Sequence, residues 1–224
     1  MARPGWSSAR CGCCRRWSAD RRAGSVSNAD TVRRRAKTGA TQRRILDAAT
    51  EVFAARGFTA ATMADVVAKS GASIGSIYHH FGGKSELFLA IFEQLADDVE
   101  RRIEAAMQHA LRTGPDGADP RHALQLHVRA YLEAMWDNRC RARVLSSGDT
   151  PAGFETVRRD RMSAAFRRLL AVLPPDTSLR SQLLSRLLMA TIAESSLMIA
   201  DCENPDDVAP IIDTAIEWIA RLTK

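Results

Sequence analysis

The sequence predicts an all-α protein, and three observations carry that expectation. Apolar residues recur at i, i+3, i+4 and i+7 through most of the chain, the interval of one helix face. Long alternating β-branched runs are absent. Ser, Thr, Gly and Pro fall between the periodic stretches, where they start and end helices. At 224 residues, 46% of them hydrophobic, the chain can bury a substantial core in one or two domains.

The net charge of +6 is unevenly divided. Residues 1–40 hold ten Arg or Lys against two acids, a net +8, so residues 41–224 hold 22 bases and 24 acids, a net −2. Basic character belongs to the tail, and charge supports nucleic-acid binding only behind a motif. The tail has no apolar run suited to a leader or a membrane span, and its Arg-, Ser-, Gly- and Ala-rich composition predicts disorder. Cys11, Cys13 and Cys14 lack a second ligand cluster at metal spacing and read as reduced thiols. Cys140 and Cys202 are isolated, which suits a cytoplasmic location. No metal or cofactor is expected. Arg33, Arg34, Arg35 and Lys37 precede the first predicted helix. A basic arm there can enter a minor groove or lie along phosphates, or it can remain a solvated tail.

Thr41 predicts the cap of a helix through QRRILDAATEVFAARG, with Ile45, Leu46, Ala49, Val52 and Phe53 on its apolar face and Gly57 at its end. Residues 62–84, TMADVVAKSGASIGSIYHHFGGK, read as two short helices joined by a tight turn. Thr62 caps the first, Asp65 favours its positive end, and Gly71 closes it. Ser73 caps the second, which keeps Ile74, Ile77, Tyr78 and Phe81 at helical spacing until Gly82-Gly83. Phe58 and Phe81 read as core. Ser76, Tyr78, His79 and His80 have little reason to crowd into a core, and their pattern suits a helix lying in a DNA major groove.

From Ser85 one long helix runs to Thr113-Gly114-Pro115, a natural lever out of the motif. A helix from Pro120 carries Leu124, His127, Val128, Tyr131, Leu132, Met135 and Trp136 on a wide apolar face. A short basic helix over 139–145 precedes the loop SSGDTPAG. Residues 155–173 form an amphipathic helix with Phe166 and Leu169 inward and Arg158, Arg159, Arg161, Arg167 and Arg168 mostly outward, ended by Pro174-Pro175. Two final helices follow, over 177–202 and 206–222. The first is apolar nearly all round and so needs more than one packing partner.

Thr41, Ile45, Leu46, Ala48, Ala49, Phe53, Gly57, Phe58, Thr62, Ala72, Ser73, Gly75, the run Ile77-Tyr78-His79-His80-Phe81, Lys84 and Leu87 together resemble the N-terminal DNA-binding domain of TetR-family transcriptional regulators. The resemblance covers residues 41–92 in continuous register. It implies a three-helix DNA-binding domain over 41–92 after a tail over 1–40, and a helical effector-binding and dimerisation domain over 93–224. Carried onto this sequence, it sets Ile74, Gly75, Ser76 and His79 near base edges and Thr62, Tyr78, His80 and Lys84 at phosphates. Ile74 departs from the polar residue often found there and can touch only a thymine methyl. The last two helices are expected to meet a symmetry mate, with two reading helices roughly 34 Å apart on a palindromic operator. A small, largely apolar effector would oppose DNA binding by linkage. Its candidate contacts are Phe92, Leu95, His127, Tyr131, Met135, Phe166, Met189 and Met198, each of which also reads as plain core. The expected function is a homodimeric repressor; an effector-independent or architectural DNA-binding protein is the alternative. An enzyme is disfavoured, because no glycine-rich nucleotide loop, metal-ligand spacing or nucleophile elbow is present. Glu194, among apolar neighbours, reads as a polar or effector contact.

Overall fold

The computed structural model describes residues 29–113, 119–170 and 178–223. Among them the regular structure is helical throughout: α1 (Ala29–Ala60), α2 (Met63–Ser70), α3 (Ile74–Phe81), α4 (Lys84–Thr113), α5 (Pro120–Asp137), α6 (Arg139–Leu145), α7 (Phe154–Leu170), α8 (Leu179–Asp201) and α9 (Val208–Leu222), with a 3-10 turn at Pro205–Asp207. The all-α expectation holds. The backbone divides into two compact units, one running to Ile91 and taking in Ser147–Pro151, the other holding Phe92–Ser146 and the chain from Ala152 onward.

In the first unit α1 begins at Ala29 rather than near Thr41, so Thr41 lies inside a helix instead of capping one. The stretch upstream of Thr41 is rich in Arg, Ala and Lys and has no proline, so nothing in it stops helical hydrogen bonding from propagating. Arg33, Arg34, Arg35 and Lys37 are therefore on helical backbone, not on the disordered arm that composition predicts. Cys11, Cys13 and Cys14 lie outside the described residues. Gly57 interrupts α1 at φ 77°, ψ 166°, a conformation that a side chain would strain. Ile45, Ala49, Val66, Ile77, Leu87, Phe88 and Ile91 are fully buried. Each of these side chains other than Ala49 contributes about 1.5–3 kcal/mol relative to an exposed one. Phe58 is half-buried, and its ring packs on Phe53 and Phe88 at centroid distances of 5.8 and 5.3 Å.

The second unit is built on α5, α8 and α9. Leu124, Val128 and Leu132 of α5 pack with Leu188 and Ile199 of α8 and Ile212 and Ile219 of α9, and Leu169 of α7 joins them. Phe154, the first residue of α7, is buried edge-on against Phe92 at 5.4 Å. Asp98 is buried on α4 between Arg101 and Arg141, with Arg141 Nη1 3.2 Å away. Burial pushes its carboxyl up, while the two guanidinium groups pull it back. Cys202 is a free thiol. By length and composition α8 could cross a membrane, but Leu188, Ser195, Ser196, Ile199 and Ala200 are buried within the unit.

Candidate nucleic-acid interface

The turn between α2 and α3 is fixed by local hydrogen bonds. Thr62 and Asp65 form a reciprocal capping box: the Asp65 carboxylate accepts from the Thr62 backbone N–H at 2.9 Å, and the Thr62 hydroxyl accepts from the Asp65 N–H at 3.2 Å. Bonds from Thr62, with Arg56 3.0 Å away, hold the Asp65 carboxyl below its ordinary value of 3.8. Gly71 closes α2 at φ 67°, and its N–H donates to Val67 O. Ser73 then caps α3, its hydroxyl accepting from Ser76 N–H at 3.1 Å. Thr62, Ser73 and Gly71 thus take the roles that their sequence spacing predicts.

The side chains of α3 divide cleanly. Ile77 is fully buried and Phe81 half-buried, anchoring the helix by one face. Ile74 is 48% and Tyr78 49% exposed, with Gly75 and His79 also exposed and Ser76 and His80 half-buried. The His79 and His80 rings lie 5.3 Å apart. No hydrogen bond to a described residue engages the side chain of Tyr78, His79 or His80. A short, well-capped helix therefore presents an apolar group, a glycine, a phenol and an imidazole to solvent.

Two of the expected phosphate contacts have visible partners inside the protein. The Thr62 hydroxyl donates to Asp65 at 2.8 Å. The Lys84 ammonium donates to Ala61 O at 2.7 Å and Thr59 O at 3.1 Å, and lies 4.6 Å from the Phe58 ring centroid. Across the same turn, the Asp149 carboxylate accepts from Thr59 N–H at 3.0 Å and from the Thr59 hydroxyl at 2.5 Å. These bonds hold Asp149 below its ordinary 3.8. The turn that delivers the chain into α2 is thus clamped at its carbonyls by Lys84 and at its donors by Asp149. Sequence reading missed Asp149, which stands in a loop with no helical period to flag it.

In the second unit α5, α7 and α8 line a solvent-open pocket of about 360 Å³. Four of the eight expected effector contacts line it: His127, Tyr131, Phe166 and Met189. Phe92 and Leu95 are buried core residues, Met135 is half-buried, and Met198 is 51% exposed; none of these is on the wall. Burial, with Arg168 nearby, pushes the His127 imidazole down from 6.5, and burial pushes the Tyr131 phenol up. Glu155, Arg158 and Arg159 also line the cavity, although the sequence pattern turns that side of α7 to solvent.

Residues 45–91 match the profile of "Bacterial regulatory proteins, tetR family". The chain is 34% identical over 93 residues to the transcriptional activator FasR of Mycolicibacterium smegmatis, covering 42% of this chain and 37% of that protein. It is 37% identical over 67 residues to the transcriptional repressor AcnR of Corynebacterium efficiens, covering 30% of this chain and 34% of that one. The chain therefore spans little more than a third of these relatives. Similarity of fold extends further. A TetR-like regulator from Rhodococcus sp. RHA1 superposes with a TM-score of 0.60 at 24% identity, over 81% of this chain and 92% of that one. A regulator from Aquifex aeolicus VF5 gives a TM-score of 0.63 at 18% identity, over 81% and 99%. The capped α2–turn–α3 geometry and the profile match fall on the same residues, so residues 45–91 form a helix-turn-helix segment similar to that of the tetR family of bacterial regulatory proteins.

Proposed function

We propose that this chain is a homodimeric DNA-binding transcriptional repressor, released from a palindromic operator by a small, largely apolar effector. The observation that carries the reading is α3, which buries Ile77 and leaves Ile74, Gly75, Tyr78 and His79 at the surface on a rigidly capped helix. Ile74, Gly75, Ser76 and His79 approach base edges, with Ile74 against a thymine methyl and His79 hydrogen-bonding. Tyr78 and His80 bind phosphates, and the Lys84 proton not directed at Ala61 or Thr59 adds a third phosphate contact. Thr62 contributes by holding the entrance to α2, with a phosphate bond open to its hydroxyl if it turns from Asp65. The basic run Arg33, Arg34, Arg35 and Lys37 strengthens binding to DNA through charge.

Self-association is supported by an apolar stripe on the last two helices. Leu179, Leu183, Leu187, Leu197 and Met198 of α8 and Trp218 and Leu222 of α9 are between 38% and 82% exposed, far more large apolar surface than a solvated pair of helices needs. A two-fold pairing of this face buries it and supplies two copies of α3 to one site. The pocket lined by α5, α7 and α8 supports effector control over effector-independent binding, since its apolar walls with a few polar groups are the usual make-up of a small-molecule site.

The test is fluorescence anisotropy with DNA flanking the gene for this protein, with excess non-specific competitor and a salt series, paired with sedimentation of the complex. Retention of a specific site by two chains is expected. Binding that the competitor abolishes, or one chain per site, contradicts the reading.

A further inference from the structure

The charge on the cavity wall restricts what can occupy it. Along α7, Glu155, Arg158 and Arg159 stand toward the N-terminal end, with Phe166 and Leu169 farther along. Glu155 is the one carboxylate on the wall among the described residues, and Arg158 already engages it, with Nε at 3.0 Å and Nη2 at 2.5 Å from the same oxygen. Arg159 makes no ion pair or hydrogen bond with a described residue. The other polar groups are neutral hydrogen-bonders: Tyr131, bonded to Ser196, and His127, whose burial disfavours the charged form. An entering cation would find its only acid already paired and a second arginine beside it. An entering anion finds a guanidinium with open donors at the edge of an apolar chamber.

We propose that the cavity takes an amphipathic carboxylate, its apolar body against Val128, Phe166, Leu169 and Ile192 and its carboxylate on the guanidinium of Arg159. The planar fork of Arg159 suits a two-bond carboxylate contact. A cavity of about 360 Å³ falls at the small end of ligand sites, which favours a single short chain or ring. The proposal rests on the effector reading above and adds the charge of the effector.

The experiment is calorimetric titration of the full chain with decanoate, 1-decanol and decyltrimethylammonium, below their micellar concentrations. The three probes share the chain and differ in head charge. Decanoate is expected to bind tightest, at least about tenfold above the ammonium compound, and Arg159→Gln is expected to cost decanoate about tenfold while leaving decanol unchanged. The ammonium probe binding as tightly as decanoate, an equal loss for all three in Arg159→Gln, or no binding by any of them overturns the proposal. The same probes added to a protein–DNA complex separate the two readings. Decanoate that binds through Arg159 without changing DNA affinity upholds the ligand class and removes the effector role. Release by decyltrimethylammonium alone keeps an effector and overturns the carboxylate.

Discussion

The Asp149 carboxylate accepts both the backbone N–H and the hydroxyl of Thr59, a residue 90 positions earlier, at 3.0 and 2.5 Å. The pair explains the glycine beside it. Gly57 has a positive φ of 77°, and a Cβ built there would collide with the same carboxylate. Gly57→Ala is therefore expected to lower Tm by more than Asp149→Ala, since it adds backbone strain of about 1–3 kcal/mol to the collision. In the double variant the collision disappears and the strain remains, so the two changes should cost less together than their sum. Additive losses in Tm would mean that the residues do not interact.

Lys84 gives a second stability test. Its ammonium bonds two carbonyls of the turn before α2 and lies over Phe58. Lys84→Met is expected to lower Tm. If Lys84 also holds a phosphate, the slope of log binding constant against log salt falls by about 0.9 for each phosphate no longer neutralised. An unchanged Tm would remove the structural role, and an unchanged slope would remove the phosphate role.

Along α3, adjacent positions are expected to respond in different assays. Ile77 is fully buried, and Ile77→Ala should cost about 2–5 kcal/mol of stability. His79 is exposed, so His79→Ala should leave Tm unchanged and weaken specific DNA binding by about 1–3 kcal/mol. Thermal melts and competition binding on both variants make the comparison.

Leu183 and Leu187 are 59% and 43% exposed on α8. Leu183→Glu with Leu187→Glu is expected to convert a sedimenting dimer to a folded monomer, because two charges would have to be buried without partners. A dimer that survives both substitutions pairs through some other face.

His127 supplies the pH dependence. Its folded pKa is below 6.5 because burial and Arg168 disfavour the imidazolium. The stability it contributes is thus fully present above 6.5 and is lost as pH falls through the lowered folded value. Between those limits the unfolding free energy should fall on acidification with a slope below the ~1.4 kcal/mol per pH unit of one full proton, and His127→Gln should flatten it. An identical slope in the variant would assign the effect to other groups.

The caps and buried anchors of the DNA-binding unit are legible in the sequence because they are local. Thr62, Gly71 and Ser73 act within three or four residues of themselves, and Ile77 and Phe88 announce their burial by period. Helix α1 runs past its expected start because a good cap residue does not by itself end a helix when no proline precedes it and Arg, Ala and Lys, which are good formers, dominate the turns upstream. Asp149 is hidden for the opposite reason: its partner is remote in sequence, and a carboxylate in a loop has no period. In the cavity, His127, Tyr131 and Phe166 follow from their apolar helix faces, whereas Arg159 does not, since periodicity turns an arginine to solvent whether or not a chamber opens beside it.

The most direct measurement is a footprint of the purified protein on DNA flanking its own gene, at near-physiological salt with non-specific competitor, for the wild type and His79→Ala. Protection of a palindrome with half-sites roughly 34 Å apart, lost in the variant although its Tm is unchanged, is the expected result. Protection that is the same in His79→Ala, or that disappears with competitor, would contradict sequence reading by α3 and leave a non-specific DNA-binding protein.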